Sequence, residues 1–244
     1  MEIVLLRGLI REKRHWNDFP LALSKLLPDA KITQIEYPSA GIRHREKFPL
    51  NIKKLVDDLR SQLEEKNGAR ILVAISLGGM VALNWSKIFP NDFDKLVIIN
   101  SSARNLSLPH ERMNIKEWKK IFNILKTKSE FEKELAILEL TTNKLSLDQK
   151  NKIATQYASY AKECPITLQN LLRQLALATS LKALKMNRDI LFCVGDKDLL
   201  ARPSCSKKMS DFYGSELRIA KDAGHDHSLD APNWLAAEIK NLIV

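Results

Sequence analysis

Cysteine is scarce in this chain: 244 residues hold three, Cys164, Cys193 and Cys205. The count is odd, the spacings are wide, and no CxxC or Cys/His pattern has zinc-ligand spacing. A disulfide-stapled secreted scaffold and a structural zinc site are therefore not expected. Three reduced thiols in a cytoplasmic protein are the simplest reading. Long apolar runs are also missing. None approaches the roughly 18–20 residues that cross a bilayer, so no membrane partner is expected. The opening Met1–Gly8 meets Arg7 after a short apolar run and is followed by no small-residue cleavage site, so it reads as a core strand rather than a leader. Internal repeats and low-complexity segments are absent. The net charge is +10, which invites a nucleic-acid partner. Yet no helix-turn-helix, finger, RNP or KH pattern is visible, and the basic residues alternate with acids rather than with stacking aromatics, which argues against one.

What is present is core-forming material, with 45% hydrophobic and 28% charged residues. That suits one large domain, or one domain with an insertion. Strands are expected over 2–7, 31–37, 70–75 and 95–100, separated by helices over about 18–27, 51–66 and 77–89. Within the runs 70–75 and 95–100, residues 71–75 and 96–99 are apolar throughout, as strands buried on both faces are. Cys193 falls in a similar run, 189–195, and reads as a core residue. From about 104 to 185 no strand is convincing. Amphipathic helices are expected there over 115–125, 129–140, 146–160 and 166–178. The alternation then resumes with a strand over 189–194, a helix over 205–213, a strand over 216–221 and a helix over 233–244. The expected fold is α/β, with a mostly parallel sheet of about six strands and helices on both faces. Residues 1–102 and 187–244 would form the core, and 103–186 a helical insertion.

Three places carry chemistry. In Val73–Gly79, Ser76 stands between a buried strand and a helix, with small Ala74 and Gly78 two residues either side. A sharp strand-to-helix turn needs small neighbours, and it lifts the Ser side chain above the sheet edge. The helix start also points free N–H groups at the site. A plain helix cap would use the same residues. The second place is Gly195–Asp198 at a strand end, offering Asp196 and Asp198. The third is Ala223–His227 after the last strand, offering His225 and His227. The order Ser, Asp, His, each just past a strand, is that of a hydrolytic triad on a parallel sheet.

On these residues the chain resembles α/β-hydrolase-fold serine hydrolases with an inserted helical lid. It is similar to small bacterial carboxylesterases of the pimeloyl-carrier-protein methyl esterase type. The likeness runs through Arg7–Leu9 with Trp16, Ala74–Gly78, Gly195–Asp198, Gly224–His225 and Leu229–Pro232. It implies Ser76 as nucleophile, His225 as base and Asp198, third after its glycine, as the acid. It also implies an oxyanion hole from the backbone N–H groups of Leu9 and Leu77. The family usually carries His where this chain has Arg7. Arg7 would therefore either pair with a carboxylate or, with Ile10, meet the substrate. Asp226 and Asp230 read as loop caps. His15, His44 and His110 read as surface or supporting residues, and Cys205 as an inert thiol at a helix start.

The resemblance implies a carboxylesterase for small or medium acyl esters, with no metal and no cofactor. The same residues suit a thioesterase, amidase, lactonase or C–C hydrolase, or a binding protein on the same scaffold. Charge adds one expectation. Residues 103–185 hold 15 Lys and Arg against 8 Asp and Glu, so the helical segment would attract an acidic substrate or an acyl-carrier protein. A monomer is the default.

Overall fold

The computed structural model describes residues 1–243. Six strands form one sheet: β1 (Glu2–Leu6), β2 (Lys31–Ile35), β3 (Arg70–Ile75), β4 (Lys95–Ile99), β5 (Asp189–Gly195) and β6 (Glu216–Ala220). Their order is β2-β1-β3-β4-β5-β6 and every pairing is parallel. Successive side chains point to opposite faces. Val4, Leu6, Leu72, Ala74, Leu96, Ile98 and Phe192 enter one core. Ile3, Leu5, Ile71, Val73, Ile75, Val97, Ile99, Leu191 and Cys193 enter the other. That is why the central strands β1, β3, β4 and β5 read as apolar runs: neither of their faces meets water, whereas the edge strands β2 and β6 are partly exposed.

Helices α1 (Phe19–Leu26) and α11 (Pro232–Ile243) cover the second face through Phe19, Leu23, Leu235 and Ile239. Helices α2 (Ile52–Arg60), α3 (Leu77–Ile88) and α9 (Ser204–Tyr213) cover the first through Leu55, Leu59, Val81, Trp85 and Met209. Between β4 and β5 lie α4 (Pro109–Arg112), α5 (Trp118–Lys126), α6 (Glu130–Thr141), α7 (Leu147–Glu163) and α8 (Leu168–Ser180). Ser129, Ser146 and Thr167 cap the last three of these, each accepting the N–H three residues on. Such caps each contribute about 1 kcal/mol.

Helix α2 stops at Arg60, short of the expected residue 66. Gln62 turns away to bond both backbone groups of Glu36 at the end of β2, at 3.0 and 2.8 Å. The short helices α4 and α10 (His227–Asp230) had no signal in the apolar period, because each is a single turn. The expected last helix included Val244, which lies outside the described residues.

Every β-strand runs the same way, so the loops after β1, β3, β5 and β6 gather at one edge of the sheet. That edge is where an open parallel sheet places its ligand.

Candidate active site

Ser76 follows β3 directly and has φ +57 and ψ −118, a backbone region that a non-glycine residue occupies only when its surroundings hold it there. The turn is tight. A Cβ on Gly78 would lie 2.6 Å from the Arg7 carbonyl oxygen and 2.7 Å from that of Leu6, so no larger residue fits. Ala74 keeps its own methyl group in the core, fully buried. The first small position of the turn therefore tolerates a Cβ, whereas the second does not.

Of the two candidate acids, Asp196 is exposed and Asp198 is buried. Asp198 Oδ1 accepts the N–H groups of Leu200 and Ala201, at 2.8 and 2.9 Å. Its Oδ2 lies 2.7 Å from His225 Nδ1. An ionised carboxylate only accepts, so Nδ1 carries the proton and Nε2 is left with a lone pair. Of the two candidate histidines, His227 is fully buried, edge-on to Trp234, and neither ring nitrogen has a partner among the described residues. Burial, with the nearby His225 acting in the same direction, holds its pKa down at about 3. It is a neutral core residue. Ser76 and His225 line the same two cavities, of about 190 and 460 Å³. Among the described residues no hydrogen bond joins them, and such contacts commonly close only around substrate.

Neither Leu9 nor Leu77 donates its N–H to an acceptor in the chain among the described residues. Both border the larger cavity with Ser76. Ile10, at φ +57, lines the smaller one, and its N–H is held by Gln174 Oε1 on α8 at 2.9 Å.

Arg7 has its guanidinium committed elsewhere. Nη2 donates to Asp226 Oδ2 at 2.6 Å, and Nη1 to Asp226 Oδ1 and Ser228 Oγ at 3.3 and 3.1 Å. The group also lies over the Trp16 ring, 4.8 Å from its centroid. Of the two roles open to Arg7, pairing with a carboxylate is the one realised, although the residue flanks the smaller cavity. Burial alone would raise the Asp226 pKa. The charge and hydrogen bonds of Arg7 overcome that and hold it at about 2. The pair ties the loop after β1 to the residue next to His225.

Sequence reasoning missed three supports. Asn100, at φ +44 just past β4, donates to the carbonyls of Gly224 and His225 at 3.2 and 2.7 Å, and accepts from Gly195 N at 3.0 Å. It sews the acid loop to the base loop. A polar residue ending a central apolar strand was its one signal. Asp230 accepts Gly224 N at 2.6 Å and the N–H groups of Asn143 and Lys144 at 2.7 and 3.1 Å. It therefore does more than cap a loop. Arg11 pairs with Glu134 of α6 at 2.6 Å, beside His15. His15 is buried, and that burial together with the positive charges of Arg11 and Arg7 lowers its pKa well below the usual value. His44 and His110 are half-buried and lie outside the cavities at Ser76. Cys205 is buried, and burial raises its pKa, so its place at a helix start does not activate it.

The sequence from residue 3 to 238 matches the family model described as the alpha/beta hydrolase family. The chain belongs to that family. Among solved structures, the hydrolase resembles an esterase from Exiguobacterium antarcticum at TM-score 0.78 and 15% identity, over 100% of this chain and 92% of that one. It also resembles the esterase RhEst1 from Rhodococcus sp. ECU1013 at TM-score 0.76 and 13% identity, over 100% and 90%. At these identities the likeness is one of fold. No curated protein matches the sequence.

Proposed function

We propose that the hydrolase is a carboxylesterase that cleaves small or medium acyl esters through Ser76, His225 and Asp198. The observation that carries this reading is the 2.7 Å contact of His225 Nδ1 with Asp198 Oδ2, made beside a serine on a strained turn. Ser76 Oγ attacks the acyl carbonyl carbon while His225 Nε2 takes its proton. The developing oxyanion is met by the N–H groups of Leu9 and Leu77, each worth about 3–4 kcal/mol in the transition state. The alcohol leaves with the proton from His225. Water, deprotonated by the same imidazole, then releases the acid and restores Ser76. Asp198 holds the ring in the tautomer this needs.

Residues 1–102 and 187–244 act as the catalytic core, and the helices within 103–186 act as its lid. Their side chains Ile121, Ile124, Ile137 and Leu171 wall the smaller cavity at Ser76, which supports that role. The similarity to pimeloyl-carrier-protein methyl esterases makes an acyl chain on an acidic carrier protein a natural substrate. Lys119, Lys120, Lys126 and Lys128 on and beside α5 would meet it. No described helix is long and apolar enough to cross a membrane, and three free thiols suit a reducing compartment such as the cytoplasm.

A fluorophosphonate probe tests the assignment. It should label wild-type protein and fail on Ser76→Ala, and the same variant should lose hydrolysis of p-nitrophenyl butyrate. Asp198→Asn should lower kcat by about 10⁴ through the wrong tautomer. Equal labelling of Ser76→Ala, or full turnover by it, would refute the nucleophile.

A further inference from the structure

The larger cavity at Ser76 is apolar along Leu9, Met80 and Trp118, but it also holds two arginines, Arg104 and Arg112. The buried arginines elsewhere each meet a carboxylate: Arg7 with Asp226, Arg11 with Glu134, Arg70 with Glu2. Arg112, half-buried, does not. Its Nε donates to Ser102 Oγ at 3.1 Å, and its Nη2 to Ala178 O at 2.6 Å and Met80 Sδ at 3.4 Å. All three acceptors are neutral, and Nη1 donates to nothing among the described residues. Arg104 is exposed, and its guanidinium makes no hydrogen bond or ion pair there. Both arginines line this one cavity, and burial, more than any neighbouring charge, lowers the Arg112 pKa. A cavity wall with two like charges and no counter-charge is a place where an anion gains most.

The position of this wall is informative. Met80, which touches the Arg112 guanidinium, lies four residues beyond Ser76, one turn or about 6 Å along α3. The cationic wall is therefore a short reach from the carbonyl that Ser76 would attack.

We propose that Arg104 and Arg112 form a carboxylate-binding subsite, and that the preferred substrate is an ester bearing a second, ionised carboxyl group at the end of a short chain. This rests on the reading of Ser76 as nucleophile. The arginines select the substrate and take no part in bond breaking. Arg112 also pins α4 to Ser102 and α8, so the wall is built before substrate arrives.

Monomethyl adipate and methyl hexanoate test it, since they share a chain length and differ in the terminal carboxylate. Release of acid is followed by pH-stat, and the ratio of kcat/KM between them cancels any general loss of activity. Wild-type protein should favour monomethyl adipate by about tenfold, the effect of one charge-assisted contact. Arg104→Gln should bring the ratio towards one, and Arg104→Glu should invert it. Because the Arg104 side chain bonds to nothing among the described residues, these variants leave the fold intact. A wild-type ratio near one, with both esters hydrolysed, overturns the subsite and leaves the esterase reading standing. So does a ratio that the Arg104 variants do not move. If neither ester is cleaved, hydrolysis of p-nitrophenyl butyrate decides the esterase reading, and calorimetry with adipate itself decides the subsite. Binding to wild type that Arg104→Glu abolishes supports it, and no binding overturns it.

Discussion

Arg7 shows how one side chain holds several parts of the site at once. Its guanidinium bonds Asp226, next to His225, while its backbone carbonyl presses on Gly78 behind Ser76. Loss of one partner from a buried pair leaves the other charge without compensation, at a cost of about 3–5 kcal/mol. Arg7→Met should therefore destabilise the protein by that order in urea unfolding. Adding Asp226→Asn should recover much of the loss. The pair also sets an acid limit. Asp226 has its pKa lowered from 3.8 to about 2 in the folded chain. Its contribution is thus fully present above pH 3.8 and is lost as the pH falls towards 2. Arg7→Met should remove that part of the acid transition. An Arg7→Met protein as stable as wild type would show that the pair is dispensable.

Among the elements, the single turn α10 matters most, because it places His227 in the core directly after the His225 loop. The two residues have the same side chain and different surroundings. One meets a carboxylate at a cavity, and the other meets Trp234 with no polar partner among the described residues. His227 ionises at about 3 in the folded protein against 6.5 for the free group. The unfolded chain takes up this proton as the pH drops through 6.5, and the folded chain does not. Stability should then decline from about pH 6.5 downward, and His227→Phe should flatten that slope, with His15 supplying what remains. Thermal unfolding of both proteins between pH 7 and 5 checks this, and equal slopes would refute it. Sequence reasoning separated the two histidines only by a resemblance to known motifs. Nothing in the pentapeptide Ala223–His227 states which ring faces the cavity, because that follows from the one-turn helix that begins at His227.

At the scale of the whole molecule, the net charge of +10 concentrates on the helical segment, around Lys116, Lys119, Lys120, Lys126 and Lys128. Exposed charges attract over about one Debye length, near 8–10 Å at physiological salt. If this helical segment receives an acidic carrier protein, kcat/KM for an acyl-carrier substrate should fall several-fold between low and moderate ionic strength. Hydrolysis of p-nitrophenyl butyrate should stay flat. A carrier-protein rate unmoved by salt would rule out electrostatic docking at these lysines.

The sheet and its layers are legible in the sequence. Strands buried on both faces are continuously apolar, as in Ile71–Ile75 and Leu96–Ile99, and caps such as Asn51 and Ser146 announce their helices by local chemistry. The three residues of the proposed site were legible for the same reason: each follows a strand whose direction the alternation of elements implies. The supports were not. Arg7 meets Asp226 across 219 positions, Asn100 joins the acid loop to the base loop, and Arg112 finds Met80, Ser102 and Ala178 in place of a carboxylate. Periodicity and turn chemistry act over a few residues, so the sequence by itself determined the elements, their order and the chemical types at the strand ends. The choice of partner for each buried charge depends on which distant segments share a low-dielectric space, and only the tertiary structure decided that.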